Sequence, residues 1–446
     1  MKSDLTPFAT VQGVDWRLGP QARESAVFYH LREGEAAWQV LQERLAAHPP
    51  AVLVLNRPPP GETGVPTVVD SDWMALQRDL CDRFHPLPGI ALYGVTGTNG
   101  KTTTVELVLQ LAGMGGLRGI SIGTLGVRDV TGELDNFGMT TPGYIQLRQI
   151  LHRYAPGTDF FILETSSHAL AQDRVHGLLL QGAAWTSFTR DHLDYHGDME
   201  GYARAKERIF DALASGAGLY VPATQTELLT RLAKRMAVRA VALPSDVEGR
   251  LPLYFRTRFN RENLACAWAL ARDIGDRIDT VRWEALRPPP GRFHVREWEG
   301  RTAVVDFAHT ADALENICRA LRESFPGQRL VVLFGCGGDR DRGKRPEMGA
   351  VAARWADRIV LTSDNPRSED PLAIIQDIRG GLSGHPNVLI EPDRKRAVRS
   401  ALASLGPGEI LLMAGKGHEN YIQIGDQKIP YSDLDELAAF LGSHHG

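Results

Sequence analysis

The stretch Gly94-Val95-Thr96-Gly97-Thr98-Asn99-Gly100-Lys101-Thr102-Thr103-Thr104 limits what this chain can fold into more than any other. Ile90-Ala91-Leu92-Tyr93 precedes it as an apolar run, and Val105 to Leu111 follows with apolar spacing suited to a helix. The predicted order is strand, glycine-rich loop, helix. Such a loop turns backbone N–H groups toward an anion at a helix N-terminus, while Lys101 adds positive charge and the Thr102 hydroxyl can reach a magnesium ion. The usual phosphate-loop spacing would put glycine at position 95. This chain has Val95 there and carries Gly97 inside the loop instead. An ordinary glycine-rich turn is the simpler alternative, but the Gly-Lys-Thr core between a strand and a helix favours nucleotide binding.

At 446 residues the chain is too long for one core, so roughly two to four domains are expected. A 43% hydrophobic share with 23% charged residues is that of a globular protein. No run of about 18 apolar residues predicts a membrane partner, and a net charge of −4 gives no reason to expect nucleic acid. Met1-Lys2-Ser3-Asp4-Leu5-Thr6-Pro7 lacks the apolar core of a signal peptide, so a cytoplasmic location is expected. Cys81, Cys266, Cys318 and Cys336 show no zinc or redox spacing, which predicts buried free thiols.

Proline and glycine punctuate the chain at His85-Pro86-Leu87-Pro88-Gly89 and at Pro288-Pro289-Pro290-Gly291. These divide it into a small α/β unit over 1–88, a second α/β alternation over 89–291 and a third over 292–446. In the second, the strand Phe160 to Glu164 leads into Thr165-Ser166-Ser167-His168, placing a carboxylate where ligands collect in open α/β sheets. The segment Thr189-Arg190-Asp191-His192-Leu193-Asp194-Tyr195-His196-Gly197 crowds two histidines, two aspartates and an arginine into one loop. Lys206, in a helical stretch, reads on its own as a solvated surface lysine. In the third alternation, predicted strands end in Cys336 to Arg345, in Ser363-Asp364-Asn365-Pro366-Arg367 and in Ala414-Gly415-Lys416-Gly417-His418-Glu419. Three charged loops at strand C-termini argue for a binding face.

Taken together, these stretches, with Thr140-Thr141-Pro142 and Asp306-Phe307-Ala308-His309-Thr310, resemble the Mur ligase family over residues 89–446. The N-terminal part matches weakly, through Asp15-Trp16-Arg17, and the segment from Ala217 to Phe259 is short. The resemblance implies an α/β fold of three domains: a small N-terminal UDP-binding type, a central ATPase with a mostly parallel sheet, and a Rossmann-like C-terminal domain that receives an amino acid. It implies ATP-dependent amide formation between UDP-N-acetylmuramoyl-dipeptide and a diamino acid; a monomer is expected. By the same resemblance Gly97, Thr98, Asn99, Gly100, Lys101, Thr102 and Thr103 hold ATP phosphates. Asn260 and Asn263 lie near adenine, and Arg292 and Asp306 reach the nucleotide. Thr102, Glu164, His192 and Lys206, the last as a carbamate, attend Mg2+. Lys101, Lys206, His192 and Glu164 form the catalytic set. Thr140, Thr141, Ser166, Gln172 and Arg174 match positions that hold the UDP-sugar peptide, and Arg340, Asp364, Asn365, Arg367, Gly415 and Glu419 those around the amino acid.

Charge then narrows the amino acid. A guanidinium at Arg367 suits a distal carboxylate, as in meso-diaminopimelate, and would repel the terminal ammonium of lysine or ornithine. Glu419 could receive an ammonium, which all three have. Another amide ligase, of folylpolyglutamate type or a different Mur ligase, and a catalytically silent nucleotide-binding scaffold are the remaining alternatives. Thr140-Thr141 and the Asp364–Arg367 loop speak against the first, and the joint presence of Lys101, Glu164, His192 and Lys206 against the second.

Overall fold

The computed structural model describes residues 5–70, 72–235, 237–275 and 281–444. Its contacts gather the chain into two compact units, one formed by Met1–Val95, Gly116–Ala183 and Arg208–Gly218, the other by Thr96–Gly115, Ala184–Glu207 and Leu219–Gly446.

A first sheet contains β1 (Gly13–Asp15), β2 (Ser25–Tyr29), β3 (Val52–Leu55) and β4 (Thr67–Val69), all parallel and in sequence order. Val52, Leu53, Val54 and Leu55 are all buried, as expected of a parallel strand covered on both faces. Phe8, Val14, Phe28, Val54, Leu76 and Leu80 form one core on this sheet, together with Tyr144 and Ile145. Arg148 is buried beside it. Its guanidinium pairs with Asp82 at 2.7 Å and donates twice to the His85 carbonyl, tying down the proline-rich stretch that follows.

The second sheet contains β5 (Ala91–Thr96), β6 (Gly119–Gly123), β7 (Gly126–Asp129), β8 (Gly132–Asp135), β9 (Phe160–Glu164), β10 (Leu180–Trp185), β11 (Leu213–Pro222) and β12 (Val238–Val241). Their order is β12-β11-β10-β5-β9-β6-β7-β8. The pairs β5–β9, β6–β9 and β11–β12 are parallel, whereas β7 and β8 add an antiparallel edge. The predicted helix after the glycine loop forms as Lys101–Met114.

In the second unit a six-stranded sheet takes β13 (His294–Trp298), β14 (Arg301–Asp306), β15 (Arg329–Phe334), β16 (Arg358–Leu361), β17 (Val388–Ile390) and β18 (Glu409–Ala414) in the order β13-β14-β18-β15-β16-β17. Only β13 runs antiparallel to its neighbour, so the loops after β14, β15, β16 and β18 leave the same end of the sheet. A hairpin of β19 (Tyr421–Ile424) and β20 (Gln427–Pro430) follows. Behind the sheet, fully buried Arg394 makes a two-pronged pair with buried Asp433 and donates to the carbonyls of Ser363 and Ala414. That pair pins the ends of β16 and β18 where their charged loops begin. Cys81, Cys266, Cys318 and Cys336 are buried free thiols, as expected.

Candidate active site

In the second unit the glycine loop leaves β5 under two steric demands. A Cβ on Gly97 would sit 2.0 Å from the Thr186 hydroxyl, and one on Gly100 would sit 2.1 Å from Asn263 Oδ1. Gly100 also has a φ of +87°, so any other residue there would be strained as well as crowded. The loop is held by Thr98, whose hydroxyl donates to the Thr189 carbonyl and accepts from the Thr189 N–H, both at 3.0 Å. Asn99 is tethered through its side-chain amide, which donates to Asp312 at 2.9 Å and to Thr310. The backbone is therefore fixed around a helix N-terminus, where anions are favoured.

A cavity of about 250 Å³ opens beside this loop. Its walls include Asn99, Gly100, Thr103, Asn263, Arg292, Asp306 and, from residues no sequence signal singled out, Thr186, Tyr254, Asp312 and Arg319. Asn260 lies buried behind it, with its amide donating to the Tyr254 carbonyl. Arg292 stacks over Phe307 at 4.5 Å and reaches the Thr102 hydroxyl at 3.4 Å. Among the described residues its buried Nε has no hydrogen-bond partner. A desolvated cationic donor with a bond unmade beside a phosphate-type loop is suited to an anion. Asp306 accepts from the N–H groups of Phe293 and Ala308, both at 2.8 Å, and burial, opposed by Arg292, raises its pKa. Phe293, from whose N–H it accepts, has a φ of +45° at the entry to β13.

Lys101 and Lys206 converge on one atom. Each ammonium lies 2.8 Å from the Gly97 carbonyl oxygen. Lys206 is buried at 1% exposure, against the surface role its sequence context gave it alone. Burial first, and then the charge of Lys101, depress its pKa well below that of an ordinary lysine. Tyr202 lies under it at 4.7 Å, reaches the Thr98 hydroxyl, and meets the His192 ring edge-on at 6.2 Å. His192 adopts a φ of +56° at the head of a short helix. Its neighbour Asp191 is buried between His192 Nε2 and Lys344 Nζ, each 3.5 Å away. Burial opposes ionisation of Asp191, but Lys344 and His192 outweigh it and hold the carboxyl below the usual range.

The loops after β15, β16 and β18 form a third group. Arg340 and Arg367 flank Gly337, where a Cβ would lie 2.9 Å from Arg367 Nη1 and 3.7 Å from Arg340 Cγ. Arg367 has a φ of +51°, and its backbone bonds on both sides to the β19–β20 hairpin through Gln423 and Gly425. Burial and the like charge of Arg340 lower its pKa. Asn365 donates to Glu419 at 3.0 Å, and Gly415 sits against Asp364 with a φ of +106°. His418 contacts Phe307 at 5.0 Å, linking this group to the cavity at Arg292. Burial, with Arg292 nearby, lowers the pKa of His418 to about 4.

The remaining expected residues gather separately, in the first unit. Glu164, at 1% exposure, accepts from the Thr124 N–H at 2.8 Å and from its hydroxyl at 3.2 Å, and that hydroxyl lies 3.1 Å from the Thr140 hydroxyl. Thr141 donates to the Glu164 carbonyl at 2.7 Å, and its hydroxyl lies 3.2 Å from the Ser166 hydroxyl. Arg174 clasps Gln172 and donates to the Thr141 carbonyl at 2.6 Å. Thr124, the polar end of the strand expected over Ile120–Thr124, joins this cluster.

Among the described residues no group of three His, Cys, Asp or Glu side chains is arranged to hold a metal ion. No described helix is long and apolar enough to cross a membrane.

Two family models match the chain, the Mur ligase middle domain over residues 95–250 and the Mur ligase, glutamate ligase domain over residues 291–417. A UDP-N-acetylmuramoyl-L-alanyl-D-glutamate--2,6-diaminopimelate ligase from Thermosynechococcus vestitus is 37% identical over 426 residues, spanning 88% of this chain and 85% of that protein. One of the same name from Coxiella burnetii is 39% identical over 411 residues, 84% of each. Among solved structures, a ligase of that name superposes with a TM-score of 0.54 at 29% identity, covering 98% of this chain and 96% of the other. A MurF ligase from Thermotoga maritima in complex with ADP superposes at 0.60 with 15% identity over 92% and 95%, a likeness of fold.

Proposed function

This chain belongs to the Mur ligase family, and from that premise we propose that it joins meso-diaminopimelate to UDP-N-acetylmuramoyl-L-alanyl-D-glutamate, driven by cleavage of ATP. The fold is α/β with N-terminal, middle and C-terminal domains; the divisions near 88 and 291 are our reading of where they part, supported by family matches that begin at 95 and 291. The observation that carries the substrate reading is the pairing of Arg340 and Arg367 around Gly337, beside the carboxylate of Glu419. Two repelling guanidiniums gain most from an anion between them, and a carboxylate next to them suits an ammonium. A diamino dicarboxylate offers both.

The dipeptide carboxylate is a poor acyl donor, so its oxygen first takes the γ-phosphoryl group, releasing ADP. The amine of the entering amino acid then attacks the acyl phosphate, and phosphate leaves as the amide forms. In this reading Thr140, Thr141, Ser166, Gln172 and Arg174 hold the UDP-sugar peptide. The amides of 97–103 with Lys101 and Arg292 bind the phosphates, and Asn260 and Asn263 lie toward the base. Arg340, Asp364, Asn365, Arg367, Gly415 and Glu419 receive the amino acid. Lys101 stabilises charge developing on the transferred phosphoryl oxygens.

Thr102, Glu164, His192 and Lys206 are the groups proposed to hold Mg2+, which would supply neutralisation of phosphate charge. The donor set suits that ion, which is usually bound through one or two carboxylates plus phosphates. Lys206 enters it only after its neutral amine adds carbon dioxide, losing a proton to give a carbamate; its depressed pKa favours the amine. Enzyme equilibrated with 13C-bicarbonate is expected to show a carbamate carbon resonance that Lys206→Arg lacks. The same spectrum from both proteins would remove this step.

The function is tested by ADP release from the UDP-linked dipeptide with diaminopimelate, lysine and ornithine in turn. Diaminopimelate is expected to give the highest kcat/KM. A preference for lysine or ornithine would overturn the amino-acid assignment, and no release with any of the three would overturn the ligase reading for this substrate.

A further inference from the structure

Lys416 has 0% exposure, and nothing in the mechanism above uses it. Its ammonium has three donors and meets three acceptors: Asn365 Oδ1 at 2.7 Å, Glu419 Oε2 at 3.0 Å and Asp364 Oδ1 at 3.0 Å. The network closes on itself. Asn365 Nδ2 donates to the same Glu419 Oε2 at 3.0 Å, and the Gln423 N–H donates to Asn365 Oδ1 at 2.8 Å. Thus one buried cation joins the loop after β16, which carries Asp364 and Asn365, to the loop after β18, which carries Glu419. Glu419 Oε2 is occupied twice. Among the described residues no hydrogen bond engages its Oε1.

A buried lysine that merely ties two loops together would account for the contacts. It would not account for their selection, because all three acceptors fall on side chains read above as amino-acid ligands. The geometry points to Lys416 as a positioning residue for the entering amino acid, holding Glu419 by one oxygen and Asn365 by its carbonyl so that the second Glu419 oxygen stays ionised and open to the substrate ammonium. This rests on the assignment of Asn365, Arg367 and Glu419 to the amino-acid pocket.

Charge supports the geometry. Glu419 is faced by Asp364, Lys416, Arg367 and Tyr421, with Arg340 beyond Arg367. Burial and then Asp364 raise its pKa, and Lys416 opposes them. Without Lys416 the carboxyl would take up a proton at higher pH and cease to accept an ammonium.

The test uses the full-length enzyme and compares Lys416→Met, Lys416→Gln and Lys416→Arg by KM for diaminopimelate and for ATP between about pH 6 and about pH 9. The Met and Gln variants are expected to raise the amino-acid KM about tenfold or more while leaving the ATP KM nearly unchanged. Their amino-acid KM should climb as pH falls through a range where the unaltered enzyme is flat, and Lys416→Arg should recover the flat profile. Equal rises in both KM values, or pH profiles parallel to that of the unaltered enzyme, would overturn the inference. Should Lys416→Met fail to fold by its melting curve, the Gln and Arg variants decide. If the unaltered enzyme shows no turnover with any diamino acid, the functional reading has failed; if it turns over and the variants match it, only the role of Lys416 has.

Discussion

Lys101→Ala is expected to cut substrate-dependent ADP release by about 10²- to 10³-fold, the usual cost of removing one electrostatic contact to a developing oxyanion. Lys101 opens the helix Lys101–Met114, and its ammonium donates to the loop carbonyls of Gly97 and Thr98. Alanine is a better helix former and leaves Gly97 still bonded to Lys206, so the melting curve should barely move. A second effect follows from the same change. Lys101 is, after burial, the main cause of the depressed Lys206 pKa; its loss would move Lys206 back toward the ammonium form and slow carbamate formation. Turnover that survives the substitution unchanged would dismiss the glycine loop as the nucleotide site.

Arg367→Ala is expected to raise the KM for diaminopimelate about 10- to 100-fold, as lost charge-assisted hydrogen bonds of roughly 1.5–3 kcal/mol require, with little change in the KM for ATP. The same substitution should leave the KM for lysine unchanged or lower it, because it removes a cation facing the terminal ammonium. The backbone at φ +51° must be kept by alanine too, so some loss of stability accompanies the change. Arg367→Gly, which fits that φ without strain, separates strain from charge: it should reproduce the KM shift with less effect on melting. Equal rises for diaminopimelate and ATP in both variants would take Arg367 out of amino-acid selection.

Much of this was open to a reading of residues alone, because local order carries it. The run Ile90–Tyr93 followed by glycines and a helical apolar spacing predicts a strand, loop and helix, and that order forms, although the strand runs on to Thr96 and the helix starts already at Lys101. The charged loops after β15, β16 and β18 were legible for the same reason: apolar runs ending in Gly, Asp and Asn mark strand C-termini, and in a parallel sheet these share an end. Lys206 was not legible from its own segment. A lysine on a helix is ordinarily solvated, and only packing against Tyr202 and the Gly97 carbonyl makes it a buried, weakly basic amine. Nor could Tyr254 or Asp312 be singled out, since each enters its cluster through contacts far away in sequence.

The residues themselves therefore determined the alternation of strands and helices, the phosphate-type loop and the kinds of charge on each strand end, all of which depend on neighbours a few positions apart. The tertiary structure decided which charges meet. Two lysines share one carbonyl, two arginines crowd one glycine, and a lysine is sealed among Asp364, Asn365 and Glu419. Those encounters set basicity and binding because desolvation and Coulomb terms act through space and not along the chain.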